Sequence, residues 1–133
     1  MTLIIQVTDS HILKSKNELF CGVDTRANFH AILIAAKKLH PDVLVLSGDL
    51  SQDGSKESYQ FINNEITNLN CKSVWIPGNH DDATIAEKVL GAQIKEFDLD
   101  NWHLIFLDTH LPDSQNEGCA ASPILHDGNL SSA

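Results

Sequence analysis

Three short apolar runs in this chain each end abruptly in acidic, hydroxyl or imidazole side chains. Leu3-Ile4-Ile5-Gln6-Val7 leads into Thr8-Asp9-Ser10-His11, and Val43-Leu44-Val45-Leu46 leads into Ser47-Gly48-Asp49-Leu50. Ser73-Val74-Trp75-Ile76 leads into Pro77-Gly78-Asn79-His80-Asp81. Runs this rich in aliphatic and β-branched residues read as strands buried on both faces. Helical stretches separate them, and a βαβαβ order makes parallel pairing with right-handed crossovers the default. An open α/β sheet gathers its ligand site at the carboxyl ends of its strands. The three polar exits are therefore expected to meet at one edge.

The spacing predicts strands over 3–7, 43–47 and 73–76. A helix is expected over 25–40, with Asp24 as N-cap, Pro41 as its stop, and Ala31, Ile32, Ala35, Ala36 and Leu39 as its apolar side. A second starts from a Ser55 cap and runs to about Leu69, burying Tyr59, Phe61, Ile62, Ile66 and Leu69. A short third helix over 83–90 ends at Gly91. From Ile94 the pattern alternates, Asp100-Asn101 can turn, and Trp102 to Leu107 is apolar again, which predicts an antiparallel hairpin added to the sheet. Beyond Asp113 the periodicity fades, and residues 119–133 are expected to form a tail without fixed structure.

A chain of 133 residues suits one domain, and 42% hydrophobic with 20% charged residues is ordinary for a globular protein. The net charge of −9 argues against a nucleic-acid backbone binder, which needs a basic stripe. An acidic protein can still act on a phosphate if bound cations invert the local field. Cys21, Cys71 and Cys119 form no C-x-x-C pair, so neither a thiolate zinc site nor a disulfide framework is indicated. Free thiols fit a reducing cytoplasm, and neither a charged leader nor a membrane-length apolar run is visible.

Each polar exit has a candidate chemistry beside a plain structural reading. In extended backbone Asp9 and His11 point to the same side and can share an ion; alone they read equally as a turn cap and a solvated imidazole. Asp49 has two carboxylate oxygens and can bridge two cations, although Gly-Asp after a strand is common. Asn79 offers a neutral amide oxygen to a metal, and His80 can move a proton near neutrality, with Asp81 or Asp82 orienting its ring. The plain alternative there is a Pro-Gly turn followed by helix caps. Three such motifs on three successive strands favour a shared metal site.

In this order, Asp9-Ser10-His11, Gly48-Asp49 and Gly78-Asn79-His80-Asp81 resemble the D-x-H, G-D and G-N-H-[DE] signature of calcineurin-like metallophosphoesterases. The flanking Gly22-Val23-Asp24-Thr25, Leu50-Ser51-Gln52-Asp53-Gly54-Ser55, Ser58-Tyr59 and Leu107-Asp108-Thr109 are similar to the bacterial class III cyclic-nucleotide phosphodiesterases. The likeness covers residues 2 to 118. It implies the first half of a four-layer αββα sandwich, with residues 1–118 as that half. It also implies a two-metal site of iron, manganese or zinc, and hydrolysis of 3′,5′-cyclic AMP or a related phosphodiester. Asp9, His11 and Asp49 would hold one ion, and Asp49 and Asn79 the other. Asn79 and His80 would meet the substrate, and His80 would protonate the departing oxygen with Asp81 orienting its ring.

The family's later ligands, a His-bearing strand end and a G-H-x-H motif, have no counterpart in this chain. The resemblance therefore implies weaker metal binding and weak or absent activity. It also implies an uncovered apolar sheet face prone to self-association, with no nucleic-acid or membrane partner. Two other readings compete. One is a non-catalytic remnant with at most one weak metal site. The other is a receiver-like signalling module, which would need five strand–helix repeats and a late lysine.

Overall fold

In the computed structural model, residues 1–109 are described in full, together with the backbone of Ile124–His126 and Asn129–Ser131. Strands β1 (Ile4–Thr8), β2 (Val43–Ser47) and β3 (Lys72–Ile76) pair in parallel in the order β1-β2-β3. Their register sets Thr8 beside Ser47 and Ser47 beside Ile76. All three strands thus end level with one another, and their exit loops start from a common edge.

Helices α1 (Thr25–Lys38), α2 (Lys56–Thr67) and α3 (Ala83–Leu90) follow β1, β2 and β3 in turn. Each begins on a side-chain cap that satisfies a first-turn N–H: Asp24 accepts from Ala27, Ser55 from Ser58, and Asp82 from Ile85. Gly91 closes α3 with φ +92°, a conformation that glycine adopts without strain. Its carbonyl accepts from the Trp75 indole at 3.0 Å, fastening the end of α3 to β3.

Alternation along the strands divides the core in two. Val7, Leu44, Leu46 and Trp75 pack with Phe29, Leu33, Ala36, Tyr59, Ile62, Ile66 and Ala86 from the helices. Val43, Val45 and Val74 pack on the opposite face. The α2 face is the one expected. In α1 the buried stripe is Thr25, Phe29, Leu33 and Ala36, while Ile32 and Leu39 are 46% and 62% exposed. The stretch from Ala31 to Ala36 is apolar all round, so composition left the direction open. The large Phe29 ring sits at helical spacing from Leu33 and Ala36, and that row faces the sheet.

The later hairpin also differs from expectation. Strands β4 (Glu96–Leu99) and β5 (Trp102–Ile105) form their own antiparallel pair and share no ladder with the three-stranded sheet. They lie across its second face, where Ile94, Phe97, Leu99 and Phe106 pack on Val43, Val45 and Val74. Phe97 and Phe106 stack with centroids 5.7 Å apart, and Lys72 Nζ lies 4.1 Å from the Phe97 ring centre. Covering this apolar face removes its hydrocarbon from water. Val43 and Val74 are each 1% exposed beneath the hairpin.

Most of the tail at 119–133 lies outside the described residues. The backbone of its segments β6 (Ile124–His126) and β7 (Asn129–Ser131) pairs antiparallel.

Candidate metal centre

Beyond the strand ends, the loops after β1 and β2 continue side by side. Asp9 N donates to Gly48 O (3.0 Å), His11 N to Asp49 O (2.9 Å) and Ile12 N to Leu50 O (2.9 Å). The return bond runs from Gln52 N to Ile12 O at 2.9 Å. Within this ladder Asp9, His11 and Asp49 each take positive φ, at 53°, 45° and 45°. An extended backbone was the expected reason for Asp9 and His11 to share a side; the left-handed residues overturn it. Such a conformation costs a non-glycine residue on the order of 1 kcal/mol or more and persists where its surroundings enforce it. Here it accompanies three polar side chains, from two loops, that meet at one point.

Asp9, His11 and Asp49 offer one donor atom each, all within 4.8 Å of one another. His11 Nε2 stands 3.7 Å from Asp9 Oδ1 and 3.9 Å from Asp49 Oδ2. Donors around a single ion at bond lengths of about 2.0–2.2 Å sit about 3–3.5 Å apart, so sub-ångström movements close the set on a metal. Two carboxylates and an imidazole form a mixed N/O site suited to manganese, iron or zinc. The residues present fit one divalent ion.

The imidazole is braced. His11 Nδ1 lies 2.7 Å from Gln52 Oε1, and Phe20 stacks on the ring with centroids 4.8 Å apart. On the other carboxylate, the Thr8 hydroxyl lies 2.5 Å from Asp9 Oδ2 and 2.7 Å from the Ser47 carbonyl, between which it shares one proton. An open cavity of about 350 Å³ adjoins the cluster, lined by Asp9, His11, Phe20, Val23, Phe29 and Ile32 among others.

The loop after β3 closes the group. His80 N donates to Asp49 Oδ1 at 3.0 Å, and the His80 and His11 ring centres are 5.7 Å apart. Asn79 stands between Gly78 and His80 and is half-buried. A β-carbon on Gly78 would collide with the backbone nitrogen and Oδ1 of Asp49. Gly78→Ala is therefore expected to destabilise the fold by about 2 kcal/mol or more, because the obstacle is backbone and cannot swing away. Urea unfolding checks the figure; a loss under about 0.5 kcal/mol would mean the two loops approach less closely than this.

Asp81 has a different employment from the expected one. Its Oδ2 accepts from Leu50 N (3.0 Å) and Gly78 N (2.8 Å). Its Oδ1 accepts from Ser51 N (2.8 Å) and the Tyr59 hydroxyl (2.9 Å). All four in-plane acceptor positions are filled, which leaves none for the His80 ring. Asp81 is 7% exposed and staples the β2 and β3 loops together beneath the cluster. Burial pushes its carboxyl above the usual range, and the bonds from Gly78, Ser51, Leu50 and Tyr59 oppose that shift. The Tyr59 hydroxyl also accepts from Asp82 N at 2.8 Å, and burial raises the phenol's pKa. Asp82, the alternative orienting group, caps α3 through Ile85 N at 3.0 Å.

Two participants escaped sequence reasoning. Tyr59 stood in the apolar row of α2, and nothing local revealed that its hydroxyl reaches under the next loop. Gln52 follows Asp49 by three residues, but its partner lies 41 positions earlier. A neutral amide carries no metal-ligand signal of its own.

A parallel βαβαβ sheet thus carries, at its carboxyl edge, an acid–imidazole cluster that could hold a metal ion. The chain belongs to the calcineurin-like phosphoesterases, matching that family over residues 2–129. It is 35% identical over 116 residues to a 3′,5′-cyclic-nucleotide phosphodiesterase of Nostoc sp., covering 83% of this chain and 44% of that protein. It is 30% identical over 115 residues to the 3′,5′-cyclic adenosine monophosphate phosphodiesterase CpdA of Escherichia coli K12, covering 81% and 42%. The CpdA of Vibrio vulnificus is 34% identical over 115 residues, with the same shares of 81% and 42%. The chain thus spans less than half the length of these curated relatives. Family membership removes the receiver-like reading. No helix among the described residues is long and apolar enough to cross a membrane.

Proposed function

We propose that this chain carries part of the catalytic site of a metal-dependent phosphodiesterase whose substrate is 3′,5′-cyclic AMP or a closely related phosphodiester. The observation that supports the reading best is the convergence of Asp9, His11 and Asp49 within 4.8 Å at the edge of the sheet. The relatives named for cyclic-nucleotide hydrolysis supply the substrate class. The free thiols of Cys21 and Cys71 fit action in the cytoplasm.

Asp9, His11 and Asp49 would hold a first ion, and Asp49 with the amide oxygen of Asn79 a second; iron, manganese and zinc all suit these donors. When bound, such ions neutralise the phosphodiester and supply an ionised water for in-line attack. The chain's residues do the rest. The backbone ladder and the Asp81 staple fix the donors before substrate arrives, so no reorganisation accompanies the reaction. His80, exposed beside the cluster, would meet the phosphate with Asn79 and deliver a proton to the departing 3′ oxygen. Asp81 acts on this site through the loops it holds. A net charge of −9 favours bound cations over an arginine or lysine clamp as the means of drawing in an anionic substrate.

The test is hydrolysis of 3′,5′-cyclic AMP by this chain with manganese, alongside calorimetric titration of the metal. Turnover that chelation abolishes supports the proposal. The second reading, a non-catalytic remnant, draws on the same cluster, whose three donors fit one ion. A single weak metal site without turnover at any metal concentration would establish that reading and remove the catalytic one for this chain.

A further inference from the structure

We propose that Gln52 is a positioning residue: its side-chain carbonyl holds His11 in the tautomer protonated at Nδ1 and turns Nε2 toward Asp9 and Asp49. The inference rests on reading that cluster as a metal site. A carbonyl oxygen only accepts, so a ring nitrogen 2.7 Å from Gln52 Oε1 must carry the proton. The lone pair then sits on Nε2, the nitrogen that faces Asp9 Oδ1 at 3.7 Å and Asp49 Oδ2 at 3.9 Å. The hydrogen bond made by one imidazole nitrogen decides what the other can do.

The placement is built into the backbone. Gln52 N donates to the carbonyl of Ile12, the residue after His11, at 2.9 Å, so the two side chains leave a shared ladder at fixed separation. Phe20 stacks on the ring at an interplanar angle of 18° and sets its plane. Gln52 sets its rotation within that plane. Glutamine does this without charge, whereas a carboxylate there would add a third anion to a site already holding Asp9 and Asp49. Supports of ligating histidines typically change metal affinity 10–100-fold when removed.

The experiment uses the whole chain as wild type, Gln52→Ala and Gln52→Glu, with thermal unfolding recorded for each. Nitrogen–proton correlation spectra of the metal-free protein read the His11 tautomer, and calorimetric titration with Mn²⁺ reads affinity. The expected result is Nδ1–H in wild type, loss of that preference in Gln52→Ala with manganese affinity down 10–100-fold, and recovery of both in Gln52→Glu. Melting temperatures should stay alike. Identical tautomers and equal affinities in wild type and Gln52→Ala would overturn the proposal, as would an affinity loss that Gln52→Glu fails to restore. A chain that takes up no manganese while Gln52 still sets the tautomer overturns the metal-centre reading instead, so the two failures are distinct.

Discussion

Replacing Asp81 with alanine is expected to destabilise the fold by about 3–5 kcal/mol, because it leaves several buried donors without an acceptor. The carboxylate receives three backbone N–H groups and one hydroxyl, contributed by the β2 loop, the β3 loop and α2. Each buried donor left without an acceptor costs about 1–3 kcal/mol. The full sum is not reached, because removing the group also relieves the burial that pushes its carboxyl upward. Stabilities of native domains are only about 5–15 kcal/mol, so this loss alone can unfold the chain at physiological temperature. Asp81→Asn, which keeps one oxygen and so serves two of the four donors, should fall between. Urea midpoints at constant slope report the ranking. A loss under about 1 kcal/mol for Asp81→Ala would mean that the staple does not hold the loops.

That result would also explain why one residue of the signature was misread from sequence. Asp81 follows His80 directly, and a carboxylate beside an imidazole suggests a dyad. Its backbone enters the turn to α3 with the side chain directed back beneath the strand ends, where four donors await it. Sequence adjacency on a tight turn says little about side-chain direction.

Features governed by local chemistry were legible. The β2 run is apolar on both faces and its bounds at 43–47 matched. The caps Asp24 and Ser55 began their helices because an accepting side chain at that place satisfies first-turn donors. The common edge from which the three exit loops start followed from the parallel topology. Features decided by long-range packing were not legible. The turn of α1 toward Phe29 and Leu33, the hairpin lying across Val43 and Val74, and the reach of Tyr59 and Gln52 under or across other loops each depend on partners distant in sequence. The left-handed conformations of Asp9, His11 and Asp49 were equally hidden, because no glycine marks them.

Asp49→Asn should separate folding from metal binding more cleanly than any other change. Asparagine tolerates the left-handed backbone that Asp49 occupies at φ 45°, and its amide oxygen can still accept from His80 N in place of Oδ1. The loops should therefore keep their places, with stability within about 1 kcal/mol of wild type, the usual size of one neutral hydrogen bond. What disappears is a negative charge and one anionic donor aimed at His11 Nε2. Since removing outer-shell supports alone costs 10–100-fold in metal affinity, loss of a donor itself should cost at least about 100-fold. Hydrolysis of cyclic AMP, where the chain supports it, should vanish with the metal. Titration with manganese beside thermal unfolding reads both effects. A folded Asp49→Asn chain binding manganese as tightly as wild type would place the ion elsewhere, because no position among Asp9, His11 and Asp49 can lose the central carboxylate and keep its affinity.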